Sequence, residues 1–91
     1  MEELSLKKPL KAKNLKIIDH LGTHYATFDG TKVWKVEKWM YKLLAMCNGK
    51  KTFDEIAEDI ARISGYPAED IKAGLKPIFE EMERNGFITY L

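Results

Sequence analysis

The spacing of apolar residues changes its period near residue 37, and this change constrains the fold more than any other feature of the sequence. Before it, short runs alternate with the two-residue period of β-strands, as in Lys32–Glu37, where Trp34 and Val36 share one face. After it, apolar residues recur at offsets of three and four, which is the period of an amphipathic helix. This order predicts an α+β domain in which a small sheet is followed by helices.

The first half of the chain predicts a three-stranded antiparallel sheet. Its first strand is expected at Leu15–Ile18, and its second strand at His24–Phe28 after a short glycine turn. The dipeptide Asp29-Gly30 is a strong hairpin signal, because both residues tolerate the positive φ of tight turns. The third strand is expected at Lys32–Glu37.

The second half predicts three helices. The first ends at Asn48-Gly49, and the second begins at a capping box in which Thr52 and Glu55 exchange side-chain hydrogen bonds with the backbone. The third begins at Pro67. The predicted apolar stripes are Trp39, Met40, Leu43, Leu44 and Cys47; then Ile56, Ala57, Ile60 and Ile63; then Ile71, Leu75, Ile78, Phe79 and Met82.

The third stripe runs through Pro77, which is unfavourable inside a helix because proline lacks an N–H group and crowds the preceding turn. We therefore expect a kink near residues 73–77, and a break into two short helices is the alternative. Residues 87–91 return to β-like composition.

A chain of 91 residues is expected to form a single domain, residues 1–91. Residues 1–12 are rich in lysine and hold Pro9, which favours an extended basic arm that docks through its leucines.

The net charge of +1 is a balance between two unlike halves. Residues 1–52 hold eleven lysines and five acidic residues, a net of +6, and residues 53–91 hold four basic and nine acidic residues, a net of −5. The second and third predicted helices are acidic, so neither is suited to bind in a DNA groove between phosphates. A nucleic acid is therefore an unfavoured partner.

Residue types that carry chemistry are scattered in this sequence. His20 and His24 flank a turn, so their spacing lacks the helical geometry of a zinc site, and Cys47 lies on an apolar stripe where its thiol is expected to pack. We predict no enzyme activity, no metal and no cofactor. The lone cysteine, the charged N-terminal segment and the lack of a bilayer-length apolar run predict a cytoplasmic protein without a membrane partner.

Two runs together resemble the PqqD-like family, small domains that recognise precursor peptides. The first run is Val33–Glu37, and the second is Leu43–Ile56, in which Asn48-Gly49 and Thr52 match the family pattern without a gap. The last helix is similar as well, with Ile78-Phe79, Met82 and Gly86-Phe87 at the family's spacing. The similarity covers about residues 14–91, and it departs from the pattern at Glu37, at Trp39 and Met40, and at Pro77.

The resemblance implies a winged-helix-like fold and a non-catalytic adaptor. Such domains bind the leader segment of a ribosomally made precursor peptide by β-strand addition and present it to a modifying enzyme, often a radical S-adenosylmethionine enzyme. Carried over by position, the peptide-binding residues would be Lys32, Val33, Trp34, Lys35, Val36 and Glu37 on the strand and Ile71, Lys72, Leu75, Lys76 and Phe79 on the last helix.

Other readings stay open at this point. Three helices beside a small sheet are also typical of DNA-associated winged-helix regulators. A third hypothesis is a subunit-interface module of another assembly, a role that requires no catalytic or ligand-binding motif. The exposed edge of the third strand could also pair with a second copy of the chain to give a homodimer.

Overall fold

The computed structural model of the chain describes residues 4–91. The strands are β1 (Pro9–Lys11), β2 (Lys16–His20), β3 (Thr23–Thr27), β4 (Val33–Val36) and β5 (Ile88–Tyr90), and the helices are α1 (Lys38–Met46), α2 (Phe53–Ser64) and α3 (Ala68–Arg84). The predicted α+β class is confirmed, because three antiparallel strands precede three helices in a winged-helix-like order.

The three-stranded sheet has the order β2-β3-β4. Its second hairpin pairs Thr27 with Val33 and Ala26 with Trp34. In the loop between them, the Thr27 hydroxyl donates to the carbonyl of Lys32 and accepts from the amide of Gly30. The Asp29-Gly30 signal therefore predicted this hairpin, and the buried Thr27 hydroxyl fixes the loop.

The helices begin and end largely as predicted. The Thr52–Glu55 capping box opens α2, and Gly65 closes it with a φ of 82°, a conformation that glycine adopts without steric cost. Helix α3 runs without a break through Pro77, which excludes the alternative of two short helices. Two residues of the predicted apolar stripes do not reach the core: Trp39 is 51% exposed and Ile63 is 85% exposed.

The N-terminal segment is built into the domain more fully than the docked arm expected from the sequence. Within it, β1 pairs antiparallel with β5, so that Pro9 lies opposite Tyr90 and is buried. On the other side of β1, the Lys11 amide donates to the carbonyl of Cys47, and the Gly49 amide donates to the carbonyl of Pro9. The strand is extended, as expected, but it is built into the domain; residues 1–3 of the predicted arm lie outside the described residues.

The core lies between the three-stranded sheet and the helices. Ala26 and Val36 enter it from the sheet, and Leu44, Ile56 and Phe79 enter it from the helices. Phe79 packs edge-to-face on Phe53 with ring centres 5.1 Å apart, which fixes α3 against α2. This packing holds the face of α3 that begins at Ile78 beside β4.

Candidate functional site

Strand β4 is bonded along one edge only. It pairs with β3, and among residues 4–91 no further strand or backbone hydrogen bond adds to residues 33–36. Backbone N–H and C=O groups need partners, so an edge of this kind is a template for another extended segment. The first component of the candidate site is therefore this open edge.

An apolar groove lies beside the open edge. It encloses about 370 Å³, and we call it the edge groove. Its lining combines residues of β4, α1 and α3 with two residues between α3 and β5: Trp34, Lys35, Val36, Trp39, Met40, Ile78, Glu81, Met82, Asn85 and Phe87. Ile78, Glu81 and Met82 of α3 share one face of the helix, and its C-cap residue, Asn85, continues that face at i+7.

Aromatic rings support the strand side of the edge groove. Trp34 packs edge-to-face on Phe87, with ring centres 5.1 Å apart, and on Phe28, with ring centres 5.9 Å apart. The Lys32 ammonium lies 5.0 Å from the centre of the Trp34 ring, a cation–π distance. Trp34 is therefore partly buried and held on several sides, which gives the groove a preformed wall.

Of the six strand residues predicted for the site, Trp34, Lys35 and Val36 line the edge groove, whereas Lys32, Val33 and Glu37 do not. Trp34 and Val36 lie on the face of β4 that is turned to the core, while Val33 and Lys35 lie on its other, exposed face, with Lys35 opposite Tyr25. Glu37 precedes α1 as its N-cap residue but makes no side-chain capping bond.

The α3 residues predicted for the site do not line the edge groove. The Lys72 ammonium lies 3.5 Å from a carboxylate oxygen of Asp54, and Phe79 is fully buried against Phe53, so both face α2. Leu75 lies on the α1–α2 side of the helix. The predicted set is rotated around α3 relative to the observed face, because helical spacing alone does not show which side of a two-sided helix meets the sheet.

Two further residues of the predicted set lie elsewhere on α3. Ile71 is partly buried against the core and lies two turns before Ile78 on the same side, while Lys76 is exposed. The groove residues that sequence reasoning did not assign to the site are Trp39, Met40 and Phe87, and on the α3 side Ile78, Glu81, Met82 and Asn85. The i, i+3, i+4, i+7 spacing of the last four was readable, but the polar members Glu81 and Asn85 hid the stripe.

Cys47 is buried and packs as predicted. Burial raises the pKa of its thiol to about 12, and the S–H group lies 3.4 Å from the Leu43 carbonyl that it donates to. A thiol with this pKa stays protonated at neutral pH and is a poor nucleophile.

The two histidines occupy separate environments. His24 stacks on Tyr41 with ring centres 5.0 Å apart, whereas His20 is exposed at the end of β2. Within residues 4–91, no group of three or more histidine, cysteine or acidic side chains is placed to hold a metal ion. The same part of the chain has no helix that is both long enough and apolar enough to cross a bilayer.

No protein-family model, curated protein or solved structure matches this chain.

Proposed function

We propose that the protein is a non-catalytic, cytoplasmic adaptor that binds the leader segment of a ribosomally made precursor peptide by β-strand addition at β4. A modifying enzyme, such as a radical S-adenosylmethionine enzyme, would then act on the remainder of the peptide. The observation that carries the proposal is the open edge of β4 directly beside the edge groove.

Strand addition needs two things, and the open edge supplies the first. A peptide that lies along β4 can exchange main-chain hydrogen bonds with residues 33–36, which gives affinity with little dependence on sequence. Lys35 sits on this strand, where its charge discourages pairing between random edges and attracts an acidic peptide.

The edge groove supplies the second requirement, which is selectivity. In an added strand, alternate side chains point to one face at a spacing of about 6.6 Å. Those on the inner face would enter the groove between Trp34 and Ile78, where the lining is mainly apolar. We therefore expect the bound segment to place large apolar residues at every second position.

The division of labour follows from the residue chemistry. Cys47 is buried with a raised pKa, and the histidines lie apart, so the proposal assigns the covalent chemistry to the partner enzyme. A lone reduced cysteine also favours the cytoplasm, where such peptides are made.

The decisive test is a titration of the isotope-labelled full chain with overlapping synthetic peptides from the short reading frames beside its gene. A binding peptide should shift the amides of residues 33–36 saturably, and the Trp34 indole with them. N-methylation of alternate peptide residues should abolish binding in one register and leave it in the other, because only one edge of the peptide faces β4.

A matched pair of α3 variants separates the observed groove from the helix face expected from sequence. Ile78→Asp should weaken the peptide by about tenfold or more, while Lys76→Asp should leave affinity unchanged. The reverse ranking, or shifts confined to residues outside β4 and the edge groove, would contradict strand addition. Shifts that depend on protein concentration without peptide would instead indicate a homodimer through β4.

A further inference from the structure

A second groove lies between α1 and α2. It encloses about 320 Å³, and its wall is formed mainly by Trp39, Leu43 and Met46 of α1 and by Ile60 and Ile63 of α2; we call it the helix groove. Trp39 and Ile63 are the two stripe residues that fail to reach the core. Large apolar side chains that remain exposed around one concavity mark a surface for docking.

The helix groove is unsuited to an extended peptide. All of its lining residues belong to helices, whose N–H and C=O groups bond within the helix, so the groove offers no strand edge. An occupant must satisfy its own backbone hydrogen bonds, and a helix does so. Trp39, Leu43 and Met46 follow one another at i, i+4 and i+7, which is a row that a second helix can lie along.

The charge of the helix groove defines the chemistry of its occupant. Lys42 is its one charged lining residue, and Lys38 precedes it by one turn of α1. Neither lysine has an ion pair or side-chain hydrogen bond within residues 4–91, and α1 contains no acidic residue. On α2, Asp59 is already bonded to Lys51 and Arg62.

We propose that the helix groove binds an acidic amphipathic helix of a protein partner. Apolar residues of that helix, at i, i+3 or i+4, and i+7, fill the groove, and its carboxylates face Lys38 and Lys42. The proposal stands apart from peptide binding at β4, because the two grooves share only Trp39.

The test uses a synthetic helical peptide about four turns long, with leucines on one face and glutamates on the other. Two controls accompany it: a version with lysine in place of glutamate, and a scrambled version of the same composition that has no apolar face. Titration of the labelled full chain should shift the methyl groups of Leu43, Met46, Ile60 and Ile63 saturably and leave the β4 amides unchanged. The lysine and scrambled versions should bind at least about tenfold more weakly.

Variants locate the binding surface. Ile63→Asp should reduce affinity by more than about tenfold, and its 85% exposure in the free protein means that the fold is kept. Ile18→Asp, at an exposed isoleucine on β2, is the matched control and should change nothing. Lys42→Glu should favour the lysine peptide over the glutamate peptide, whereas Lys50→Glu should not.

Several results would overturn the proposal. Equal binding of the glutamate and lysine peptides would contradict the preference for an acidic partner. Equal binding of the scrambled peptide would contradict the preference for an amphipathic helix. If the methyl signals show no saturable shift, the helix groove is not a binding site for such a helix. Methyl shifts that grow with protein concentration alone would assign the groove to a second copy of this chain, and shifts caused by an extended leader peptide would assign it to strand recognition.

Discussion

Strands β1 and β4 are nearly equal in length, yet one is bonded along both edges and the other along one. β1 pairs with β5 on one side and with the Cys47–Gly49 segment on the other. β4 has β3 alone, and the edge groove lies at its free side. The chain thus closes one strand with segments distant in sequence and leaves the other open beside an apolar surface, which is where we expect a ligand.

The largest expected effect separates the two strands by stability. Ile88→Ala, in the partner strand of β1, removes a side chain that is 3% exposed and should lower the free energy of unfolding by about 2–5 kcal/mol. Val33→Ala, in β4, removes a side chain that is 51% exposed and should change it by less than about 0.5 kcal/mol. Denaturant unfolding measures both, and similar losses would contradict the comparison.

Alkaline pH should lower the free energy of unfolding through Cys47, which lies in the segment that pairs with β1. Burial raises the pKa of the Cys47 thiol from 9.0 to about 12, so the unfolded chain loses this proton at lower pH than the folded chain does. The stabilisation is fully present below pH 9 and is lost as pH rises toward 12, by up to about 1.4 kcal/mol per unit. Unfolding curves across this window should show the slope, and Cys47→Ala should remove the part that begins near pH 9. A smaller slope should remain at higher pH, because burial also raises the pKa of Tyr90 from 10.0 to about 12.

Substitutions in the edge groove should change the affinity for a leader peptide more than they change the stability of the protein. Ile78→Ala should weaken a bound leader peptide by about tenfold, about 1.4 kcal/mol, since it removes part of the groove wall. Lys72→Ala is the control, because its side chain is directed to Asp54 on α2. Calorimetric titration measures both, and a larger loss for Lys72→Ala would place the peptide on the α2 side of α3.

A modest loss of stability is expected at the junction between α2 and the N-terminal segment. Thr52→Ala removes the hydroxyl that accepts from the Glu55 amide and should cost about 1 kcal/mol of stability. The Phe53 amide, which donates to the carbonyl of Lys7, should then exchange with solvent faster. Unchanged exchange at Phe53 would mean that the cap does not stabilise the contact between α2 and the N-terminal segment.

Much of the fold could be predicted because its signals are local. The Asp29-Gly30 hairpin, the Thr52–Glu55 capping box and the glycine end of α2 each lie within a few residues of the structure that they specify. The pairing of β1 with β5 joins the two ends of the chain, and no short pattern encodes it.

The candidate site could be predicted only on its strand side. Trp34 and Val36 follow from the two-residue period, but α3 is apolar on more than one side, so its pattern fits both the core and the groove. Phe79 fills the core and Ile78, one residue away, lines the groove. The tertiary packing of Phe79 against Phe53, which no local pattern encodes, turns Phe79 toward α2 and leaves Ile78 at the groove.

Hydrogen exchange at β4, measured with and without a saturating leader peptide, shows directly whether the peptide adds to this strand. We expect the outward amides among residues 33–36 to exchange at least about tenfold more slowly in the complex, because strand addition gives them partners. The Lys11 and Gly49 amides, which are already bonded, should not change. A saturated complex in which the β4 amides exchange as fast as in the free protein would contradict strand addition at β4.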